Sequence, residues 1–182
     1  MAGMLQHLNS DRLFADVITP DDLPNVVPAR GQTAIVTTRC AFSAWAFVPL
    51  LIRPENGHGK CERCTITTYN LAFDAVASLE QAIADDRIEV AQVIVSENLQ
   101  RVGDGGAVYA YLTAIGEKTG RLRWARARVH AKTIGLRMAS GLCYTVIGSG
   151  NMAHNTAHEA YAILTDRETY LHLVTWAGEI AG

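Results

Sequence analysis

Between Cys61 and Gly120 the chain alternates strand-forming runs with helix-forming ones, and that alternation restricts the fold more than any other feature. CTITTYNL is dense in β-branched and aromatic residues and reads as a strand. AFDAVASLEQAIADD follows, with Phe73, Val76, Leu79 and Ile83 at three- and four-residue steps along one apolar helix face. IEVAQVIVSE is again a strand, and GGAVYAYLTAIGEK is a helix with Gly120 just past its end. RLRWARARVHAKTIGLRM and LCYTVIGS read as further strands, joined by a turn at Ala139, Ser140 and Gly141. HEAYAILTD adds another strand and RETYLHLVTWAGEI a closing helix. Such alternation predicts an α/β fold: a mixed, mostly parallel β-sheet flanked by helices on both faces.

Upstream, TAIVTTR is a short β-rich run, and AFSAWAFVPLLI is a buried helix broken near Pro49 or Pro54. RPENGHGK is a loop by its Pro, Asn and Gly content. Residues 1–32 hold three prolines and many polar residues, and read as a short helix with an irregular lead-in. The expected division is therefore a lead-in segment, 1–32, and one domain, 33–182, of a size that buries a substantial core. A chain that is 49% apolar and 19% charged is not disordered. Its net charge of −2 means that any binding of nucleic acid has to come from a local patch. The most apolar window is too short to span a bilayer, and the N-terminus lacks the pattern of a signal peptide, so a cytoplasmic protein with no membrane partner is expected.

The chemistry concentrates between residues 126 and 159. Arg126, Arg128, His130 and Lys132 have the same parity, so in an extended chain they share a face. Three permanent cations on one face repel each other unless an anion sits among them, and phosphate suits guanidinium and ammonium groups. His130 is the member that changes protonation near neutral pH, and an imidazole is also a nucleophile. After the next strand, Gly148, Ser149, Gly150 and Asn151 form a small-polar turn. It offers a hydroxyl, an amide and closely approachable backbone N–H groups to the same oxygens. Glu159 follows eight residues later, a carboxylate able to orient an imidazole.

His130-x-Lys132, then Gly148-Ser149-x-Asn151, then Glu159, resembles the signature of the phospholipase D superfamily, the HKD motif. The resemblance covers roughly residues 61–168 and is nearest to the short, single-motif branch of endonuclease Nuc-like nucleases. It implies a phospholipase D-like α/β sandwich and a phosphodiesterase that needs neither metal nor cofactor. His130 would be the nucleophile, through a phosphohistidine intermediate. Lys132, Ser149 and Asn151 would hold the phosphate, and Glu159 would orient a histidine. A one-motif chain supplies one histidine, so the resemblance also implies a homodimer that shares its site across a two-fold axis. Nucleic acid is the expected substrate, DNA favoured over RNA, with Arg126, Arg128, Gly148 and Gly150 as binding residues.

One position departs from the full pattern: the motif's aspartate is Arg137 here. It is read either as an added phosphate-facing charge or as a strand running on into solvent. It also keeps a second reading open, a member of the family that binds nucleic acid or phosphate without cleaving it. His58-x-x-Cys61-x-x-Cys64 has the spacing of half a zinc site, set against two cysteines simply entering a buried strand. Trp45, Trp124 and Trp176 read as core or interface anchors, and Tyr109 and Tyr111 as packing residues.

Overall fold

The computed structural model describes residues 6–9, 12–101, 105–156 and 158–182. One nine-stranded sheet organises them, in the order β1-β2-β3-β9-β8-β7-β4-β5-β6. Its strands are β1 Gln6–Asn9, β2 Arg12–Val17, β3 Thr33–Thr38, β4 Cys61–Thr68, β5 Ile88–Ser96, β6 Leu122–Ala127, β7 Thr133–Met138, β8 Cys143–Gly148 and β9 Glu159–Leu164. The helices are α1 Phe47–Leu51, α2 Phe73–Ala84, α3 Gly105–Thr119 and α4 Arg167–Ala181. The sheet is mixed. Pairing is parallel for β2/β3, β4/β5 and β5/β6, and antiparallel for the other neighbours. The parallel share is thus smaller than the sequence leads one to expect.

Helices α2 and α3 are the crossovers that make β4, β5 and β6 parallel, because parallel neighbours cannot be joined by a tight hairpin. The apolar stripe Val76, Leu79 and Ile83 of α2 is buried together with Val93 and Val95 of β5 and Leu112 and Ile115 of α3. Phe73, expected on that stripe, is instead 52% exposed at the first position of α2 and stacks on Tyr111. The other face carries α4, where Ala177 packs with Ile94 and Val129. Gly135 of β7 permits this approach: a Cβ there would lie 3.1 Å from Leu173 and 3.4 Å from the Tyr170 ring. Helix α1 runs through Pro49, whose missing N–H falls in the first turn, where no intrahelical partner exists, and ends before Pro54.

Two expectations are corrected. Residues 12–17 do not belong to a helical or irregular lead-in: Leu13, Ala15 and Val17 alternate into the core, and β2 lies parallel against β3. Residues 121–138 are not one strand. β6 ends at Ala127 on the sheet's edge, the chain crosses the ends of β5 and β4 at residues 128–132, and β7 begins at Thr133, antiparallel to β4. A bond from the Val129 N–H to the Ala127 carbonyl, 2.9 Å, tightens this crossing, and Val129 is buried beneath α4.

Candidate active site

The crossing decides where the chemistry goes. It brings His130 and Lys132 to the end of the sheet where β4 and β8 finish and β7 and β9 start. Ligands of α/β folds gather at such strand ends, because the connecting loops converge there. Tyr69 and Asn70 reach this edge from β4, Ser149 and Asn151 from β8, and Glu159 opens β9.

His130 is exposed and Lys132 is buried, at 9% exposure. The Lys132 ammonium donates to the His130 carbonyl at 2.7 Å and lies 3.0 Å from Nδ1 of the same imidazole. It also sits over the Tyr69 ring, 5.7 Å from the centroid. Burial holds the Lys132 pKa below the ordinary lysine value, and the nearby Glu159 carboxylate offsets part of that effect. Among the described residues no carboxylate hydrogen-bonds this partly desolvated ammonium, an arrangement that can accept an anion.

Ser149 donates its hydroxyl hydrogen to Glu159 and accepts the Ala160 N–H at 3.1 Å. Asn151 is fixed by both its polar ends. Its side-chain Oδ1 accepts the Asn70 N–H at 3.2 Å, and its carbonyl accepts the Ala44 N–H at 3.1 Å. Because Oδ1 must be the acceptor, the two amide N–H donors are free of partners among the described residues. Beside Ser149 and Glu159 opens a cleft of about 590 Å³, also lined by Thr37, Thr38, Arg39 and Asp16. Strand β2 reaches this cleft through Asp16, which pairs with Arg39 at 2.8 Å, while His130, Lys132 and Asn151 do not line it.

Other expected site residues fall differently. The shared face assigned to Arg126, Arg128, His130 and Lys132 needs an extended chain, and β6 ends at Ala127, so parity does not carry across the crossing. Arg126 is exposed on the edge strand, with its guanidinium 5.6 Å over the Tyr109 ring, and Arg128 is exposed at the start of the crossing. Gly148 and Gly150 are glycines because of Tyr161: a Cβ on either would collide with that ring, which is wedged against Phe42 and Phe47. The Gly148 N–H is spent on the Lys132 carbonyl at 3.2 Å and the Ser149 N–H on the Ala160 carbonyl at 3.1 Å, so neither amide can serve a phosphate. Glu159 bonds Ser149, not His130, within this chain.

Arg137 resolves to the second of its two readings. It stands at the far end of β7, about 17 Å along the strand from Lys132 by the strand rise. There it is half exposed and paired with Glu62 at 2.9 Å. Cys61 and Cys64 are fully buried, and burial pushes the Cys61 thiol up to about 12. Among the described residues no three His, Cys, Asp or Glu side chains gather as metal ligands, and His58 lies against the Tyr144 ring instead.

Sequence reasoning overlooked Tyr69, whose ring lies 4.8 Å from the His130 ring, and Thr38, whose hydroxyl accepts the Glu159 N–H at 3.2 Å. The usable signal was positional: both sit at the carboxyl end of a strand, at the edge where the motif residues meet.

The arrangement defines a class by its fold, a phospholipase D-like α/β protein, with Lys132 and His130 at one end of the sheet. Polyphosphate kinase from Porphyromonas gingivalis has a similar structure, with a TM-score of 0.56 over 82% of this chain and 26% of that one, at 13% identity. Two further structures are more distant. One is a mutant of yeast tyrosyl-DNA phosphodiesterase (TM-score 0.41, 14% identity, 71% of this chain and 30% of that one). The other is phosphatidylserine synthase from Haemophilus influenzae (0.46, 14% identity, 81% and 38%). The chain spans between about a quarter and two fifths of their lengths. No family model and no curated protein matches the sequence. No helix among the described residues is long and apolar enough to cross a membrane.

Proposed function

We propose that this chain is a metal-independent phosphodiesterase of the phospholipase D superfamily, a nuclease, whose site is completed by a second copy. The observation that carries the reading is the Lys132 ammonium, buried and held 3.0 Å from the exposed His130 imidazole, with Asn151 and the Ser149–Glu159 pair at the same sheet edge.

An ammonium only donates, so its bond to Nδ1 requires a lone pair there, and a neutral His130 then carries its proton on Nε2. In that state neither nitrogen is free to attack. A phosphodiester entering the site draws Lys132 onto its non-bridging oxygens, joined by the Asn151 amide, and releases the imidazole. One imidazole nitrogen then attacks phosphorus and a P–N bond forms. The P–O bond to the leaving group breaks, and the leaving oxygen takes a proton from the imidazolium of the partner subunit's His130. Water reverses the sequence: that second imidazole removes its proton, the new P–O bond forms and the P–N bond breaks. Positive charge and amide dipoles stabilise the charge that builds on phosphorus, the usual large contribution in phosphoryl transfer.

The test is cleavage of DNA and RNA by the purified protein in excess chelator, with His130→Ala as control. Turnover that survives chelation and disappears in the variant is expected, along with an acid-labile phosphorylated histidine in single-turnover experiments. Salt-sensitive binding without turnover, unchanged by His130→Ala, would instead establish the non-cleaving reading. Light scattering checks the dimer independently.

A further inference from the structure

We propose that Tyr69 is the positioning residue of the site, a ring platform that holds His130 and Lys132 together and ties them to the Asn151 loop. The proposal rests on the reading of His130 and Lys132 as the reacting pair. Three sets of contacts meet at this one side chain and its flanks. The Tyr69 and His130 rings lie 4.8 Å apart and are inclined by 51°, within the range of favourable aromatic pairs. The Lys132 ammonium stands over the same ring at 5.7 Å, within the reach of a cation–π contact. The backbone on either side of Tyr69 is bound to the loop after β8. The Thr68 hydroxyl donates to the Asn70 carbonyl at 2.7 Å and accepts the Met152 N–H at 3.3 Å. The Asn70 N–H meets the Asn151 amide, and Leu71 bridges Met152.

His130 needs such a support. It sits in a five-residue crossing without strand pairing, its side chain is exposed, and its one other side-chain neighbour by hydrogen bond or ring contact among the described residues is Lys132. When a phosphate takes Lys132 away, the Tyr69 ring is what remains to hold the imidazole in line. Both contacts are made by the ring and neither is a hydrogen bond of the hydroxyl, so the hydroxyl is dispensable and the ring is not.

The experiment compares Tyr69→Phe with Tyr69→Leu and Tyr69→Met. In the unsubstituted protein, magnetisation transfer between the ring protons of Tyr69 and His130 is expected, and the His130 ring signals should carry a ring-current shift. Tyr69→Phe keeps that shift and stays within about twofold of full activity. Tyr69→Leu and Tyr69→Met lose the shift, and kcat falls by about ten- to a hundredfold with KM little changed, the cost of a misplaced reacting group. The His130 signals report the contact whether or not the chain turns over substrate, so failure here is distinct from failure of the phosphodiesterase reading. Absence of the ring-to-ring transfer in the unsubstituted protein overturns the proposal. So does a Tyr69→Phe variant as impaired as Tyr69→Leu, which would make the hydroxyl itself a reacting group.

Discussion

Replacing Lys132 by methionine separates what this side chain does for the fold from what it does for a bound anion. Lys132 as a residue is only 9% exposed, and desolvating such an ion costs up to several kcal/mol. Against this stand two charge-assisted contacts to His130, worth about 1.5–3 kcal/mol each, and a cation–π contact to Tyr69 of about 0.5–1 kcal/mol. Methionine removes both sides of the balance and buries a similar apolar volume. The His130 carbonyl, on an exposed residue, regains water. Lys132→Met is therefore expected to change unfolding free energy at neutral pH by no more than about 1 kcal/mol, a few degrees in melting temperature for a chain of this size. Turnover should fall by about 10²–10³, the loss typical of one donor to a developing anionic centre.

The pH dependence has a definite sign. Burial lowers the folded-state pKa of Lys132 below the ordinary 10.5, so between those two values the unfolded chain binds more protons. Stability of the wild type, relative to the variant, rises with pH across that window and levels off above it. Denaturant unfolding at pH 7 and pH 10 measures both effects. A loss above about 3 kcal/mol at pH 7, or a wild type that weakens relative to the variant at pH 10, would refute the reasoning and make Lys132 a structural residue.

Gly148→Ala drives a Cβ into the Tyr161 ring and to 2.9 Å from the Ala160 carbonyl, so it should destabilise by about 1–3 kcal/mol in chemical denaturation, and by less in a Tyr161→Leu background. Asp166 caps α4 by accepting the Thr169 N–H at 2.7 Å, and that bond is the main reason its pKa is lowered. Asp166→Ala should cost about 0.5–2 kcal/mol at neutral pH. Because a lowered carboxylate pKa gives stability that is lost as pH falls through the folded value, variant and wild type should converge below about pH 3.8 in acid titrations. Arg137→Asp restores the acid of the family pattern but sets it against Glu62, far from Lys132. Turnover should be unchanged within twofold and stability lower by at most about 1 kcal/mol, measured by initial rates and thermal melts.

The alternation from β4 to β6 was legible because each element there has the period of its own secondary structure. Thr65, Thr67, Ile94 and Val95 are β-branched residues buried in strands, while Val76, Leu79 and Ile83 recur at helical steps and are buried in α2. Strand β2 was equally periodic in Leu13, Ala15 and Val17, yet it is only six residues long with polar neighbours. Its partner, β3, begins sixteen residues after β2 ends, and local pattern cannot show that pairing. The lost break at residues 128–132 has a similar cause. Residues 121–138 show no Gly or Pro before Gly135 to mark a turn, because the chain is bent there by tertiary packing, with Val129 drawn under α4.

At the candidate site, the sequence pattern brought the residues to notice but did not show how they are arranged. His130, Lys132, Ser149, Asn151 and Glu159 lie at one end of the sheet, in the 128–132 crossing, in the loop after β8 and at the start of β9, and the strand order fixes the positions of those segments. Parity failed where the strand stopped, so Arg126 and Arg128 remain on the edge strand and the crossing instead of joining a common face. The glycines misled for a different reason. A Gly-x-Gly turn serves a phosphate or a neighbouring ring with the same backbone, and only the position of Tyr161, on the neighbouring strand β9, decides between them. A buried lysine beside an exposed histidine, by contrast, is hard to account for by packing alone, since burying an ammonium gains the fold little. Its place at the edge where Asn151 leaves two donors open is understandable if an anion is the missing partner.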